Sequence, residues 1–582
     1  MPPQQHAQPS RENTPDARDA EGAGNPATSQ SDWWQRGIVY QIYPRSFADA
    51  SGDGIGDLAG ITEHLDHVGG GPESLGVDAI WLSPIYPSPD FDFGYDVADY
   101  VGIDPKFGTL ADFDRLVDAA HRRGIRIILD LVLNHASSRH PWFQASRSSR
   151  TGPYADWFIW RDSPGRTLFG KRRPPNNWRS WFGGSAWTWD ERREQFYLHT
   201  FLPEQPDLNW RNPAVREALL DVARTWLERG VDGFRLDVFN AFFKDVQLRS
   251  NPWRIGRRGA WTWQRHLYDR NQPEMDALLR DLRAMVDARP GRMTVGELFD
   301  GSFAEAARYI APRHLVFDWA FIQLPWSAAA FRRSIAARDA ALGPERWPAN
   351  VLSNHDQPRQ ASRYGDGLPA AVGDARAKVA AALLLTLRGT PFLYYGEELG
   401  LRNLKIPNSQ AFDPPARRSS WLFPWWNRDQ ARGPMPWRPG PGAGFSTADP
   451  WLPLPPDAGT RNVAAQSADP GSILSWYRRL IALRGVTPAL QVGSQALHDV
   501  GPEDVLAYTR DAVGGGDAGA GRESHAFVAL NFGDPRATIS VPAAPGGGAW
   551  RLALSTHRGA DGHALPSRVE LAPLEALVAV SP

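Results

Sequence analysis

The chain has 582 residues, 42% of them hydrophobic, with 25 Trp, no Cys and a formal net charge of −1. Such a length allows up to about four domains, or one large barrel with appendages, and the near-zero charge offers no basic field for nucleic acid or an anionic membrane. The lack of Cys excludes disulfides and thiolate metal sites and fits a reducing compartment. No run of about 18 apolar residues suggests a membrane span, so a cytoplasmic chain without nucleic-acid or membrane partners is expected. Residues 1–32 are rich in Pro, Gln, Ser, Asp and Ala and lack an apolar h-region. They read as a disordered tail rather than a signal peptide. From there, strand-like apolar runs fall at 38–43, 78–84, 125–133, 231–238, 293–298, 314–319, 350–354 and 390–396. Helical periodicity at 110–123, 213–229, 274–288 and 372–388 separates them. Eight strands alternating with helices predict a (β/α)₈ TIM barrel over 33–135 and 213–487.

The alternation is uneven. After the third strand comes a long insert, 136–212, holding Trp142, Trp157, Trp160, Trp178, Trp181, Trp187, Trp189 and Trp210. A segment of that length is expected to be functional or a small subdomain, with most of its Trp serving as core. A Pro, Trp and Arg-rich stretch at 400–470 precedes a helix at 472–484. The remainder, 488–582, carries short β runs at 505–509, 526–531, 549–554 and 576–580 between Gly/Pro turns, predicting a C-terminal antiparallel β-sandwich.

Three of the strand-like runs end in an acid: Gly-Phe-Arg-Leu-Asp at 233–237, Val-Gly-Glu at 295–297 and Ser-Asn-His-Asp at 353–356. A carboxylate at the end of a buried strand is costly unless it meets a partner, a metal or a substrate. Acids at the C-terminal ends of several barrel strands are how this architecture builds an active site. One such acid alone would pass as a helix cap. Three, with Arg235 and His355 beside them, point to acid–base chemistry in one pocket.

With Asp-Leu-Val-Leu-Asn-His at 130–135 and Gln-Pro-Asp-Leu-Asn at 205–209, these segments resemble the ordered motifs of glycoside hydrolase family 13, the α-amylase superfamily. Within it they are most similar to the oligo-1,6-glucosidase and α-glucosidase branch. The resemblance implies Asp237 as nucleophile, Glu297 as general acid/base and Asp356 as transition-state stabiliser of a retaining mechanism. It places His135 and His355 on sugar hydroxyls, and Asp92, Tyr95 and Arg432 around the non-reducing-end glucose. That closed end implies exo-action on small oligosaccharides. Phe182 is expected at the pocket wall. Arg235, two residues from Asp237 on the same strand face, is expected to lower the pKa of the nucleophile, while desolvation raises that of Glu297.

Oxygen-bearing side chains at Asp49, Ser51, Asp53 and Asp57, with the Ile55 carbonyl, alternate as in a loop wrapped around Ca²⁺. The resembled branch carries a structural Ca²⁺ or Mg²⁺ in a matching loop, and no organic cofactor is expected. Val238, directly after Asp237, goes with α-1,6 preference in that branch, whereas the 176–187 segment looks closer to enzymes acting on maltose- and sucrose-type substrates. An exo-acting retaining α-glucosidase is therefore expected, as monomer or homodimer. The alternative is a transglucosylase or disaccharide isomerase sharing every catalytic residue.

Overall fold

The computed structural model describes residues 33–255, 261–299, 301–310, 314–317, 319–417, 426–512 and 523–581. The N-terminal tail read at 1–32 lies outside the described residues. All eight expected barrel strands form: β1 (Val39–Ile42), β2 (Ala79–Leu82), β3 (Arg126–Leu131), β4 (Gly233–Leu236), β5 (Met293–Gly296), β6 (His314–Val316), β7 (Ala349–Val351) and β8 (Thr390–Tyr394). Each is shorter than the apolar run that marks it, because the run continues into the loop that carries the functional residues. The strands are parallel, in the order β7-β8-β1-β2-β3-β4-β5-β6. A parallel bridge between Phe317 and Ala349 joins the two ends of the sheet.

Side chains alternate across a strand, and that alternation sorts the barrel into two environments. Tyr40, Ile80, Ile127, Leu129 and Phe234 face outward into one large core with the surrounding helices. Val39, Ala79, Trp81, Ile128, Met293, Val295, Leu315, Val351 and Phe392 fill the barrel interior, where Trp33 and Trp34 join the same cluster. Moving two residues along β1, β3, β4 and β5 from this apolar layer reaches Gln41, Asp130, Arg235 and Glu297. The inward face thus changes from apolar to charged at the C-terminal ends of the strands. Polar groups are tolerated there only if mutually paired.

The insert forms a three-stranded antiparallel sheet, Trp160–Arg161, Gln195–Leu198 and Trp187–Asp190. Trp178 and Trp187 sit in its small core with Ile159, Phe196 and Leu198, while Trp160 and Trp210 join the main core. Trp181 is the exception, packing beside Phe182, Phe201, Val238, Trp261 and Phe299.

The C-terminal region pairs a five-stranded sheet with a two-stranded one. Strands Ser494–His498, Ala537–Ser540 and Arg568–Leu571 accompany the four expected ones. Alternation decides its packing too: Val505, Ala507, Phe527 and Ala529 face the smaller sheet, while Leu506, Tyr508, Val528 and Leu530 belong to the same core as the barrel helices. Buried guanidinium groups cross this boundary. Arg510 donates back to the Thr386 carbonyl at 2.7 Å, and Arg484 donates forward to the Leu490 carbonyl at 2.5 Å while also serving those of Leu385 and Gly389 on its own side at 3.0 and 3.1 Å.

Candidate active site

A cavity of about 560 Å³ opens at the C-terminal face of the barrel, lined among others by Asp92, Tyr95, His135, Asp237, Glu297 and Asp356. Phe182 and Val238 line it as well. Arg235, His355 and Arg432 lie behind these, each about 1% exposed or less. The sequence-predicted substrate residues therefore divide into a lining layer and a buried layer that holds it.

Arg235 is the hub. One nitrogen, Nη1, donates to Asp130 Oδ1 and Asp237 Oδ1, both at 2.7 Å, and Nη2 donates to Glu297 Oε2. Trp81 lies beneath the guanidinium, 5.2 Å from ring centre to Cζ. Three carboxyls thus share one guanidinium in a dry pocket. Burial raises Asp237 to about 7, against the pull of Arg235 and with the help of Asp130 and Asp356. Burial likewise lifts Glu297 to about 8, with Asp237 and Asp356 adding to the rise. The expectation that Arg235 would leave Asp237 below its ordinary value is corrected: the contact is made, but desolvation outweighs a cation divided among three acids. Asp237 and Glu297 titrate as a pair, both raised by burial.

Asp356 is the opposite case. Burial opposes its charge, yet the guanidinium groups of Arg428 and Arg432 outweigh it and hold the carboxyl well below the usual range. Arg432 donates to Asp356 Oδ1 at 2.9 Å and to the His355 carbonyl at 2.9 Å. Its guanidinium is therefore spent on positioning Asp356 rather than forked into the cavity as the sequence suggested. Arg428, four residues earlier on the 3₁₀ turn Arg428–Ala431, lines the cavity instead. It donates to Asp92 at 2.5 Å, Asp413 at 2.7 and 2.9 Å, and Asp356 at 3.3 Å. This pair of Asp92 and Arg428 bridges the loop after β2 to the loop after β8.

The two histidines are held neutral by burial, His135 at about 4 and His355 at about 3. His135 Nε2 lies 3.0 Å from the Tyr95 carbonyl, and Gln205 Nε2 is 3.1 Å from both His135 Nε2 and Asp92 Oδ2. Gln205 belongs to the Gln-Pro-Asp-Leu-Asn segment, whose role in the pocket the sequence did not disclose. Asp130 is a fourth buried acid that sequence reasoning missed, although an Asp inside the apolar run Arg-Ile-Ile-Leu-Asp-Leu was a usable signal. Val238 stands at φ 37°, ψ 39°, a left-handed conformation that costs a β-branched residue roughly 1–3 kcal/mol.

The 49–57 loop is not part of the cavity lining. Asp49 accepts from Ser51 Oγ, the Gly52 and Gly54 amides and Ser446 Oγ at 2.6–3.0 Å. Asp57 accepts from the Ala50 and Ser51 amides and caps the helix Leu58–Glu63 through the Gly60 amide at 2.7 Å. Asp53 takes one bond, from the Ile55 amide at 2.8 Å. Among the described residues, no three acidic or His side chains stand together in an ion-holding group. The loop's own amides donate to both Asp49 and Asp57. The oxygen-only donor set nevertheless has the chemistry a hard cation takes.

Among the described residues, no helix is long and apolar enough to cross a membrane. The sequence model of the alpha amylase catalytic domain matches residues 41–493. A probable alpha-glucosidase of Rhizobium meliloti (strain 1021) is 45% identical over 531 residues, covering 88% of this chain and 91% of its own. An oligo-1,6-glucosidase of Parageobacillus thermoglucosidasius is 38% identical over 511 residues, covering 82% and 88%. Among solved structures, the alpha-glucosyl transfer enzyme XgtA superposes with a TM-score of 0.83 at 40% identity, over 94% of this chain and 99% of that one. The trehalulose synthase from Pseudomonas mesoacidophila MX-45 does so with a TM-score of 0.82 at 34% identity, over 94% and 99%. The acid-tipped barrel and these likenesses converge: the chain belongs to the α-amylase family of glycoside hydrolases, family 13, in its α-glucosidase and oligo-1,6-glucosidase branch.

Proposed function

We propose that this glycoside hydrolase is an exo-acting, retaining α-glucosidase that releases terminal non-reducing glucose from short α-linked oligosaccharides. The observation that carries the reading is the bridge from Asp92 to Arg428 across a cavity that also holds Asp237, Glu297 and Asp356. A cavity walled at that end admits one terminal sugar and leaves the rest of the chain to extend outward. In this reading Asp237 attacks C1 as carboxylate while Glu297 passes its proton to the leaving oxygen. Glu297 then takes a proton from the water that opens the glucosyl-enzyme. Burial and mutual repulsion raise both carboxyls, so the pair keeps one proton near neutral pH, the charge state this reading needs. Asp356, kept ionised, faces the developing positive charge on the sugar. His135, Tyr95, Asp92 and Arg428 orient its hydroxyls.

Val238 supports α-1,6 activity, its β-branched side chain narrowing the cavity next to Asp237; such steric selection is worth about 1–3 kcal/mol. A second reading, glucosyl transfer or disaccharide isomerisation, draws on the two solved structures named above and on the apolar wall of Trp181, Phe182, Phe201, Val238 and Phe299, which disfavours water. The separating experiment is kcat/KM for glucose release from isomaltose, maltose and sucrose, with Glu297→Gln as blank and the products identified. Free glucose as main product supports hydrolysis; rearranged disaccharide supports the second reading. The proposal also includes a structural Ca²⁺ or Mg²⁺ on Asp49, Ser51, Asp53, the Ile55 carbonyl and Asp57, supported by donor chemistry alone. A cytoplasmic monomer or homodimer without an organic cofactor completes it.

A further inference from the structure

Gln41, on β1, has no part in the reading above, yet its side chain reaches the most enclosed group of the site. Its Nε2 stands 2.8 Å from His355 Nδ1 and 3.2 Å from Ser83 Oγ, and both Gln41 and His355 are 1% exposed or less. An amide nitrogen can only donate. His355 Nδ1 must therefore accept, and a neutral imidazole then carries its hydrogen on Nε2. That Nε2 lies 2.7 Å from Tyr95 Oη and 3.3 Å from Asp356 Oδ2. With the imidazole donating to Tyr95 Oη, the Tyr95 hydroxyl is free to donate to Asp130 Oδ2 at 3.0 Å. Asp130 in turn holds Arg235 Nη1, the nitrogen that also contacts Asp237. The Asp130 carboxylate can only accept, so the Tyr95 hydroxyl donates to it and takes the His355 Nε2–H, and this sets the Gln41 amide with its nitrogen toward Nδ1.

The ring cannot turn to escape. Tyr95 stacks on it at 5.4 Å with planes 3° apart, and Tyr43 stacks at 6.0 Å and 14°. Trp81 meets it edge-on at 6.2 Å. The charged groups facing it are Asp356 on its own segment, Arg432 and Arg428 from the turn after β8, and Arg235 from β4. Asp130 on β3 is reached through Tyr95. Apart from Gln41, no neighbour named here contacts Nδ1.

We propose that Gln41 is a positioning residue that fixes His355 as the Nε2–H tautomer and so sets the polarity of the chain from His355 through Tyr95 and Asp130 to Arg235. Reversal would have a defined cost. If Nδ1 carried the hydrogen, Nε2 would accept from Tyr95, and Asp130 Oδ2 would lose its donor in a dry site. Were both nitrogens protonated, an imidazolium would sit 3.3 Å from Asp356 Oδ2 and neutralise the carboxylate meant for the transition state. In either case turnover falls more than binding.

The first test is nitrogen NMR of the full-length protein with ¹⁵N-His labelling, the His355 signals being identified by their loss in His355→Gln. The proposal expects an unprotonated Nδ1 and a protonated Nε2 in the wild type; a protonated Nδ1 there overturns it. This readout is independent of the glucosidase reading, so the two can fail separately. The second test compares Gln41→Glu with Gln41→Met on whichever disaccharide the enzyme cleaves. A carboxylate at 41 should protonate Nδ1 and lower kcat by about tenfold or more, as wrong-tautomer variants do, with KM within about threefold. Met, which removes the donor without reversing it, should lose clearly less. Equal losses in both variants would reduce Gln41 to a packing residue and overturn the proposal.

Discussion

Glu297→Gln should abolish turnover and also stabilise the fold, the second increasingly as pH rises from about 4.5 to about 8. Folded Glu297 holds its proton up to about 8, against 4.5 for an ordinary Glu. Between those values the native state binds more protons than the unfolded chain, so stability falls as pH rises through that window. At 1.36 kcal/mol per unit, the full gap is on the order of 5 kcal/mol. That is an upper limit, because Asp237 and Glu297 titrate together and share Arg235, and ~1–3 kcal/mol is the expected effect. Gln keeps the geometry: its oxygen can accept from Arg235 Nη2 and its amide can donate to Asp237, as protonated Glu does. At roughly 1 °C per kcal/mol for a chain of this length, Tm should rise about 1–3 °C at pH 8.5 and by nearly nothing at pH 5. Calorimetry of both proteins from pH 5 to 9 measures this. A Tm difference independent of pH, or a variant less stable than wild type at pH 8.5, would refute the idea that desolvation sets the charge state of Glu297.

Wild-type kcat/KM should be bell-shaped in pH. The acid limb reflects the first and the alkaline limb the second ionisation of the coupled Asp237–Glu297 pair, both above the ordinary carboxylate range; an acid limb near 4 would show that Arg235 wins after all. Arg428→Lys, a point charge that cannot fork onto Asp92, Asp413 and Asp356 together, should lower kcat/KM about 100-fold with the circular dichroism unchanged, and a loss under about threefold would remove Arg428 from the pocket wall. Val238→Ala should shift the isomaltose-to-maltose ratio of kcat/KM toward maltose by about tenfold; an unmoved ratio would show that linkage is read elsewhere. Chelation should lower Tm by a few degrees, restored by Ca²⁺ and not by Na⁺, if the 49–57 loop holds an ion; identical curves would exclude it.

Much of the site was legible because its acids interrupt apolar runs. Asp237, Glu297 and Asp356 each close a strand, and burial makes such an interruption meaningful without any coordinates. What escaped was the division of labour among like residues. Arg428 and Arg432 share one short turn, and only the path of the chain after β8 decides which one meets Asp92 and which one disappears beneath Asp356. Gln41 and Gln205 look unremarkable in sequence, because their importance lies in a partner 314 or 70 residues away. The three missed strands of the C-terminal region are short, and Ser494–His498 and Ala537–Ser540 bear alternately exposed residues. Their apolar signal is therefore half-strength.

The buried Arg484 and Arg510 carry a consequence for how this architecture can change over generations. Their guanidinium groups serve the carbonyls of Leu385, Thr386 and Gly389, where the helix Ala370–Thr386 hands over to β8. Deleting the chain beyond 487 would remove Arg510, expose the apolar face it guards and orphan the Thr386 carbonyl, a loss of about 1–3 kcal/mol for that group alone. Recombination at that junction would therefore succeed only between parents that match on both sides of it. The barrel and its last sheet are therefore expected to exchange only as one unit, with the loops above left free to vary.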